Sequence, residues 1–247
     1  MPSLQTAEKI AEYVVEELGD HVKLILVYGS LARGEATEFS DLDMVVITDS
    51  ISYSRSFVLK ERPVDIWSMT LDECEKLITT PSISWGVAIT LFFQNKVLYG
   101  DQSILNRLRQ LYDSLDPQSF IRFCANTLVY FAEILGKVES AAKERDLIYA
   151  RWASMDLANT AAGMIAMMNK KYYLNQWGKH LPEVLRCKIL PKDFERCYQI
   201  LWLSSDFEEL ISAIRRLSTE FERILRELGA KIPYVDSIRE GMKSSRS

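Results

Sequence analysis

Val27-Tyr28-Gly29-Ser30-Leu31-Ala32-Arg33-Gly34, followed shortly by Ser40-Asp41-Leu42-Asp43-Met44-Val45-Val46, is the stretch on which the fold turns. The apolar, β-branched run Val22 to Tyr28 reads as a strand ending on Gly29-Ser30. A residue without Cβ at that point lets backbone amides approach a ligand closely. Leu31-Ala32-Arg33 can then open a helix, a geometry suited to phosphate. Asp41 and Asp43 enter the next strand, Met44 to Thr48, at i and i+2. That places both carboxylates on one face, about 7 Å apart at roughly 3.3 Å per residue. Anions so close raise one another's pKa unless a cation compensates, and oxygen ligands without His or Cys nearby suit Mg²⁺ rather than zinc. Taken alone, Gly29-Ser30 fits an ordinary strand-ending turn and Ser40-Asp41 a capping element. Asp65 weighs against both. It stands between Val64 and Ile66 in a further strand, Pro63 to Ser68, where alternation turns it away from its apolar neighbours. It is the candidate third metal ligand. Neither G-x-G-x-x-G nor G-x-x-x-x-G-K-[ST] occurs, so dinucleotide-binding and P-loop readings lack their signatures.

Working outward, Leu4 to Leu18 carries apolar residues at helical spacing and is stopped by Gly19-Asp20. Ser56 to Lys60 pairs with Pro63 to Ser68 through a turn at Glu61-Arg62, and Leu71 to Ile78 reads as a helix. The apolar run Trp85 to Phe93 fits a helix or a buried strand. After Tyr112 the texture is helical. Asp116-Pro117 is an N-cap followed by proline at the first helical position, and helices are expected over about 117–138, 144–170, 192–203 and 206–228. Asp206 caps the last and Gly229 closes it. Within it Phe207, Leu210, Ile211, Ile214, Leu217, Phe221, Ile224, Leu225 and Leu228 form a bundle-type stripe. The expectation is an α+β chain: a mixed-sheet domain over 1–114, an all-α up-and-down helical bundle over 115–236, and a polar, flexible tail over 237–247.

The chain has 247 residues, 48% hydrophobic and 26% charged, enough to bury a core without disulfides or a structural metal. Its net charge of -4 argues against a nucleic-acid binder held by phosphate contacts. Acidic residues predominate up to Ser114 and basic ones after it. No run approaches the roughly 18 to 20 apolar residues of a membrane helix, and the N-terminus lacks a signal pattern, which points to the cytoplasm. Cys74, Cys124, Cys187, Cys197, His21 and His180 are scattered at spacings that suggest neither a zinc site nor a disulfide framework.

The Gly29-Ser30 pair, its spacing to Asp41-Leu42-Asp43 and the later Asp65 strand resemble the nucleotidyltransferase superfamily with the DNA polymerase β type of palm. That resemblance implies two Mg²⁺ ions held by the three carboxylates, ATP or another nucleoside triphosphate as co-substrate, and in-line attack of a hydroxyl on the α-phosphorus with loss of pyrophosphate. Gly29, Ser30 and Arg33 become nucleotide-binding candidates. From Asp20-His21-Val22-Lys23 through Leu31, and in overall length and layout, the chain is similar to the kanamycin (aminoglycoside) nucleotidyltransferase family. Phe131-Ala132-Glu133-Ile134-Leu135-Gly136-Lys137 resembles the family segment whose glutamate is the general base and whose lysine contacts the triphosphate, which assigns those roles to Glu133 and Lys137. Periodicity gathers Asn126, Tyr130, Glu133 and Lys137 on one polar face of their helix, opposite Phe120, Ile121, Cys124, Leu128, Phe131 and Leu135. The same spacing suits a routine i,i+4 ion pair on a solvated face. The resemblance also implies a homodimer with active sites built between domains and across subunits. Asp43 and Asp65 stand where the kanamycin-type enzymes carry glutamates, a shorter reach to a metal.

The expected activity is transfer of a nucleoside monophosphate, AMP from Mg·ATP, to a hydroxyl of a small acceptor such as an aminoglycoside, an antibiotic-resistance chemistry. The alternatives are a protein-modifying or antitoxin-type nucleotidyltransferase, and a nucleotide-binding module without catalysis. A fused ribonuclease of the Arg-x₄₋₆-His kind is excluded: Tyr173, Leu174 and Asn175 occupy the places before His180 where its arginine would stand.

Overall fold

The computed structural model describes residues 3–175 and 178–235, so the tail expected over 237–247 lies outside the described residues. Strand β1 (Val22–Tyr28) is the apolar run of the opening motif. It lies between β2 (Leu42–Thr48) and β5 (Asn95–Gly100), antiparallel to both. β4 (Arg62–Thr70) runs parallel to β2, and β3 (Ser54–Leu59) is antiparallel to β4, giving the order β3-β4-β2-β1-β5. Helix α1 (Leu4–Leu18) starts where the Ser3 side chain accepts from the Thr6 amide. It buries Ala7, Ala11 and Val14 against Ile25, Val27, Leu42, Met44, Val46, Val64 and Ile66. Those alternating residues define one face of the sheet. Tyr28, Asp43 and Asp65 point to the other.

The chain turns from β1 directly into the short α2 (Gly29–Arg33), closed by Gly34 in the left-handed region. The hairpin between β3 and β4 turns at Lys60-Glu61, one residue earlier than expected. Both have positive φ, 47° and 68°, as a two-residue hairpin loop requires. α3 (Leu71–Thr79) opens with a capping box between Thr70 and Glu73. The Trp85–Phe93 run is a four-residue α4 (Trp85–Ala88) and a 3-10 turn over Ile89–Phe92; the β-branched Val87, Ile89 and Thr90 do not favour a longer helix. β5 and α5 (Ser103–Asp113) were not anticipated.

Contacts divide the chain into two units, 1–80 with 87–115, and 81–86 with 116–247. The second is helical: α6 (Pro117–Glu144), α7 (Leu147–Met168), α8 (Leu181–Val184), α9 (Phe194–Leu203) and α10 (Phe207–Glu227). α6 runs past the expected end at 138 because its last core contacts are Val138 and Ala141, and alanine is a faint hydrophobic signal. It stops at Arg145 (φ 58°), and Asp146 caps α7 by accepting from the Tyr149 amide. From Leu157 onward α7 is buried on nearly every side, as the central helix of this unit. The 81–86 segment belongs here because Gly163 lets the backbone of Ile83 approach α7, where a Cβ would run into the Ile83 carbonyl. The Tyr173 amide also donates to the Gly86 carbonyl. Phe131 and Phe221 meet edge to face at 5.4 Å where α6 packs on α10. Among the described residues, no helix is long and apolar enough to cross a membrane.

Candidate active site

Strand register assembles the first cluster. Tyr28 pairs with Asp43 across β1 and β2, Asp43 pairs with Asp65 across β2 and β4, and Ser56 and Asn95 extend the same row at its ends. Paired residues point to the same side, so Tyr28, Asp43 and Asp65 stand shoulder to shoulder on the face opposite α1. Asp41 lies two residues before Asp43, at the entry to β2. Asp65 is exposed between buried Val64 and Ile66, as alternation requires, while Asp43 is half-buried.

The turn after β1 lies against these carboxylates. Gly29 has φ +73°, and a Cβ built on it would come within 3.3 Å of Asp43 Oδ2. Only glycine takes that backbone without strain and leaves room for the carboxylate. Ser30 forms the first turn of α2 beside it, and its carbonyl accepts from the Glu35 amide. Arg33 ends the helix with its Nε bonded to Glu35 at 2.7 Å.

Electrostatics follow from this crowding. The Asp43 carboxyl is pushed up to about 6, first by burial and then by the charges of Asp41 and Asp65. The Tyr28 phenol is pushed up to about 12, again first by burial. The hydrogen bond from Trp67 opposes the rise, and Asp43, Asp65 and Asp41 add to it. The charges of exposed Asp41 and Asp65 thus bear on a half-buried Asp43, where a divalent cation would offset the repulsion. Among the described residues, no three His, Cys, Asp or Glu side chains are already grouped as a metal-ion ligand set. The three carboxylates offer the all-oxygen donor chemistry that suits Mg²⁺.

Sequence reasoning missed Tyr28 and Trp67. Trp67 Nε1 donates to the Tyr28 hydroxyl at 2.9 Å, leaving the phenolic proton for another acceptor. Parity carried the signal: Trp67 is two residues beyond Asp65, and Tyr28 is the last residue of β1.

Glu133 and Lys137 belong to the second unit. They form an i,i+4 ion pair of 2.6 Å on the polar face of α6, Glu133 exposed and Lys137 half-buried. The Lys137 ammonium also lies 5.9 Å from the Tyr130 ring and 6.0 Å from the Trp152 ring. Its pKa is held above the ordinary lysine value, chiefly by the hydrogen bond to Glu133. The structure thus brings Gly29, Ser30, Asp41, Asp43 and Asp65 together in one unit and Glu133 and Lys137 in the other.

Comparison with known proteins bears on both units. The nucleotidyltransferase domain family matches residues 7–85, and the KNTase C-terminal domain family matches residues 102–231, more than half of the chain. Among curated proteins, an aminoglycoside nucleotidyltransferase (4') of Staphylococcus aureus is 22% identical over 245 residues, covering 94% of this chain and 95% of its own length. The enzyme of the same name from a Bacillus species gives the same identity and coverage. A solved structure of a nucleotidyltransferase-like protein from Exiguobacterium sibiricum superposes with a TM-score of 0.49 at 12% identity, over 96% of this chain and 77% of that one.

Proposed function

The chain belongs to the kanamycin-type nucleotidyltransferases, and on that premise we propose that it transfers AMP from Mg·ATP to a hydroxyl of an aminoglycoside. The observation that carries the reading is the row of Asp43 and Asp65 beside Gly29, whose missing Cβ leaves free the space within 3.3 Å of the Asp43 carboxylate. Charge repulsion and a close backbone approach meet at one point, as a site for a metal-bound triphosphate requires.

Asp41, Asp43 and Asp65 would hold the Mg²⁺ ions, which supply charge neutralisation at the reacting phosphorus. Gly29 and Ser30 leave the turn open to the phosphates, and Arg33 contributes positive charge at the end of α2. Glu133 accepts the proton of the acceptor hydroxyl as its oxygen attacks the α-phosphorus. The α–β phosphoanhydride bond breaks and pyrophosphate leaves with the electron pair. Lys137 contacts the triphosphate. These last two roles rest on the family segment and on the Glu133–Lys137 pair within α6. In this reading residues 1–114 form the catalytic domain, less the 81–86 segment packed on α7, and 115–236 form the helical domain. We further propose a homodimer, the arrangement that the family resemblance implies, working in the cytoplasm.

The test incubates purified protein with Mg²⁺, α-labelled ATP and kanamycin. Labelled kanamycin and pyrophosphate are the expected products, and Asp43→Ala abolishes both. Label on a protein instead of the drug, or none with any nucleotide or aminoglycoside, overturns the assignment.

A further inference from the structure

We propose that the Tyr28 hydroxyl, aimed by Trp67, donates a hydrogen bond to a phosphate oxygen of the nucleoside triphosphate. Tyr28 is then a binding residue of the site and Trp67 its positioning residue. The inference deepens the nucleotidyl-transfer reading and rests on it, but neither side chain belongs to the carboxylate set or to the Gly29-Ser30 turn.

Trp67 makes its hydrogen bond one-directional. Its Nε1 donates to the Tyr28 hydroxyl at 2.9 Å, and an indole can only donate. A serine, a histidine or a second tyrosine in its place could exchange roles with the phenol; tryptophan cannot. The Tyr28 oxygen is therefore the acceptor at this contact, and its own proton is left for a different partner. Register fixes where the phenol is held. Tyr28 pairs with Asp43, and Trp67 pairs with Val45, the next residue of β2 on the same face. The bond thus runs diagonally across β2, from β4 to β1, on the face that carries Asp43 and Asp65.

Two features select a phosphate as the partner of that proton. The first is position. Tyr28 is the last residue of β1, and the turn with room for phosphates starts at the next residue, Gly29, with its φ of +73°. The second is charge. A lysine or arginine at position 28 would pair with Asp43 and its neighbours and compete with a metal ion for their oxygens. A phenol donates without carrying a charge, so it can approach a phosphate oxygen while the carboxylates stay available to a cation.

Calorimetric titration of the full-length protein with Mg·α,β-methylene-ATP, an analogue that cannot transfer AMP, tests the contact without an acceptor. Tyr28→Phe is expected to weaken binding about tenfold, the size of one hydrogen bond to a charged oxygen. Mg·tripolyphosphate, which has the phosphates without the nucleoside, should lose the same factor. Trp67→Phe keeps a ring and removes the N–H. It should cost about fivefold in wild type and nothing further in Tyr28→Phe, because Trp67 acts only through the phenol. Tyr13→Phe, at an exposed tyrosine of α1, should change nothing. Unchanged binding in Tyr28→Phe overturns the proposal and leaves the pair as packing on the sheet. A loss seen with the methylene analogue but not with tripolyphosphate assigns the hydroxyl to the nucleoside and overturns it as well. So does an equal loss for Mg²⁺ alone, which places the proton on a carboxylate. If Trp67→Phe does not fold, Tyr28→Phe with the three probes decides. Should the analogue bind through Tyr28 while kanamycin is never labelled, the transfer reading fails and the contact stands; transfer with Tyr28-independent binding gives the reverse.

Discussion

Replacing Asp43 by asparagine should make the protein more stable at neutral pH while destroying its activity. The carboxyl is pushed from 3.8 to about 6 by burial, Asp41 and Asp65. At about 1.4 kcal/mol per pH unit the full rise is worth about 3 kcal/mol, and solvent screening of a half-buried group reduces it to about 2 kcal/mol. The sign follows from linkage. A raised carboxyl favours the folded state while it is protonated, fully so below the unfolded value of 3.8, and that margin is lost as pH rises through about 6. Asparagine keeps the shape without the charge. Urea unfolding followed by circular dichroism, in EDTA, should therefore show Asp43→Asn ahead of wild type by about 2 kcal/mol at pH 7.5, the gap shrinking steadily toward pH 4.5. In 10 mM MgCl₂ the wild type should recover much of the difference, because an ion bound only to the folded state at ten times its Kd adds about 1.4 kcal/mol. A gap that is absent, reversed or independent of pH would show that the three carboxylates do not strain one another, and the metal assignment would lose its physical basis.

Three further substitutions probe other parts of the argument. Gly29→Ala puts a side chain at φ +73° and 3.3 Å from Asp43 Oδ2; thermal unfolding should show a loss of about 1–2 kcal/mol, and an unperturbed melt would contradict the tight turn. Glu133→Gln should lower kcat by about 10² to 10⁴ with the circular dichroism spectrum unchanged; an unchanged rate would return Glu133 and Lys137 to a surface ion pair. Phe221→Ala empties the fully buried contact with Phe131 and should cost about 3–5 kcal/mol in urea unfolding; a much smaller loss would mean that α6 and α10 close over the gap.

How much of this was legible in the sequence depended on the range of the interaction involved. The β1–α2 turn, the Asp41-Leu42-Asp43 entry to β2 and the α10 stripe announced themselves because their patterns are local and strongly periodic. β5 was missed because Asn95–Gly100 is partly exposed along its length and shows no clean alternation. The assignment of 81–86 to the helical unit depends on Gly163 and Tyr173, some eighty or more residues away, and no local pattern contains that information. The Lys60-Glu61 turn was placed one residue late because neither residue is a usual choice for positive φ. At the site the carboxylates were found by composition and spacing. The Tyr28–Trp67 bond and the Tyr130–Asp156 bond were not, since each joins distant segments through side chains whose types also suit an ordinary core.

The raised Asp43 carboxyl persists because the fold leaves it no means of escape. β2 is held on one side by β1 and on the other by β4, and Met44, Val45, Val46 and Ile47, the four residues after Asp43, are fully buried. Slipping β2 by one residue would separate Asp43 from Asp65, but it would also turn Met44 and Val46 out of the α1 core and carry Asp43 into it. On the turn side the space is limited, since even a Cβ on Gly29 would come within 3.3 Å of Asp43 Oδ2. A proton, or a cation from solution, would relieve the repulsion. At physiological pH the proton is largely gone from a group near 6, so the folded chain bears the repulsion unless a cation offsets it. The same rigid strand pairing makes this corner costly to the folded protein, a cost that an ion taking oxygen ligands would offset.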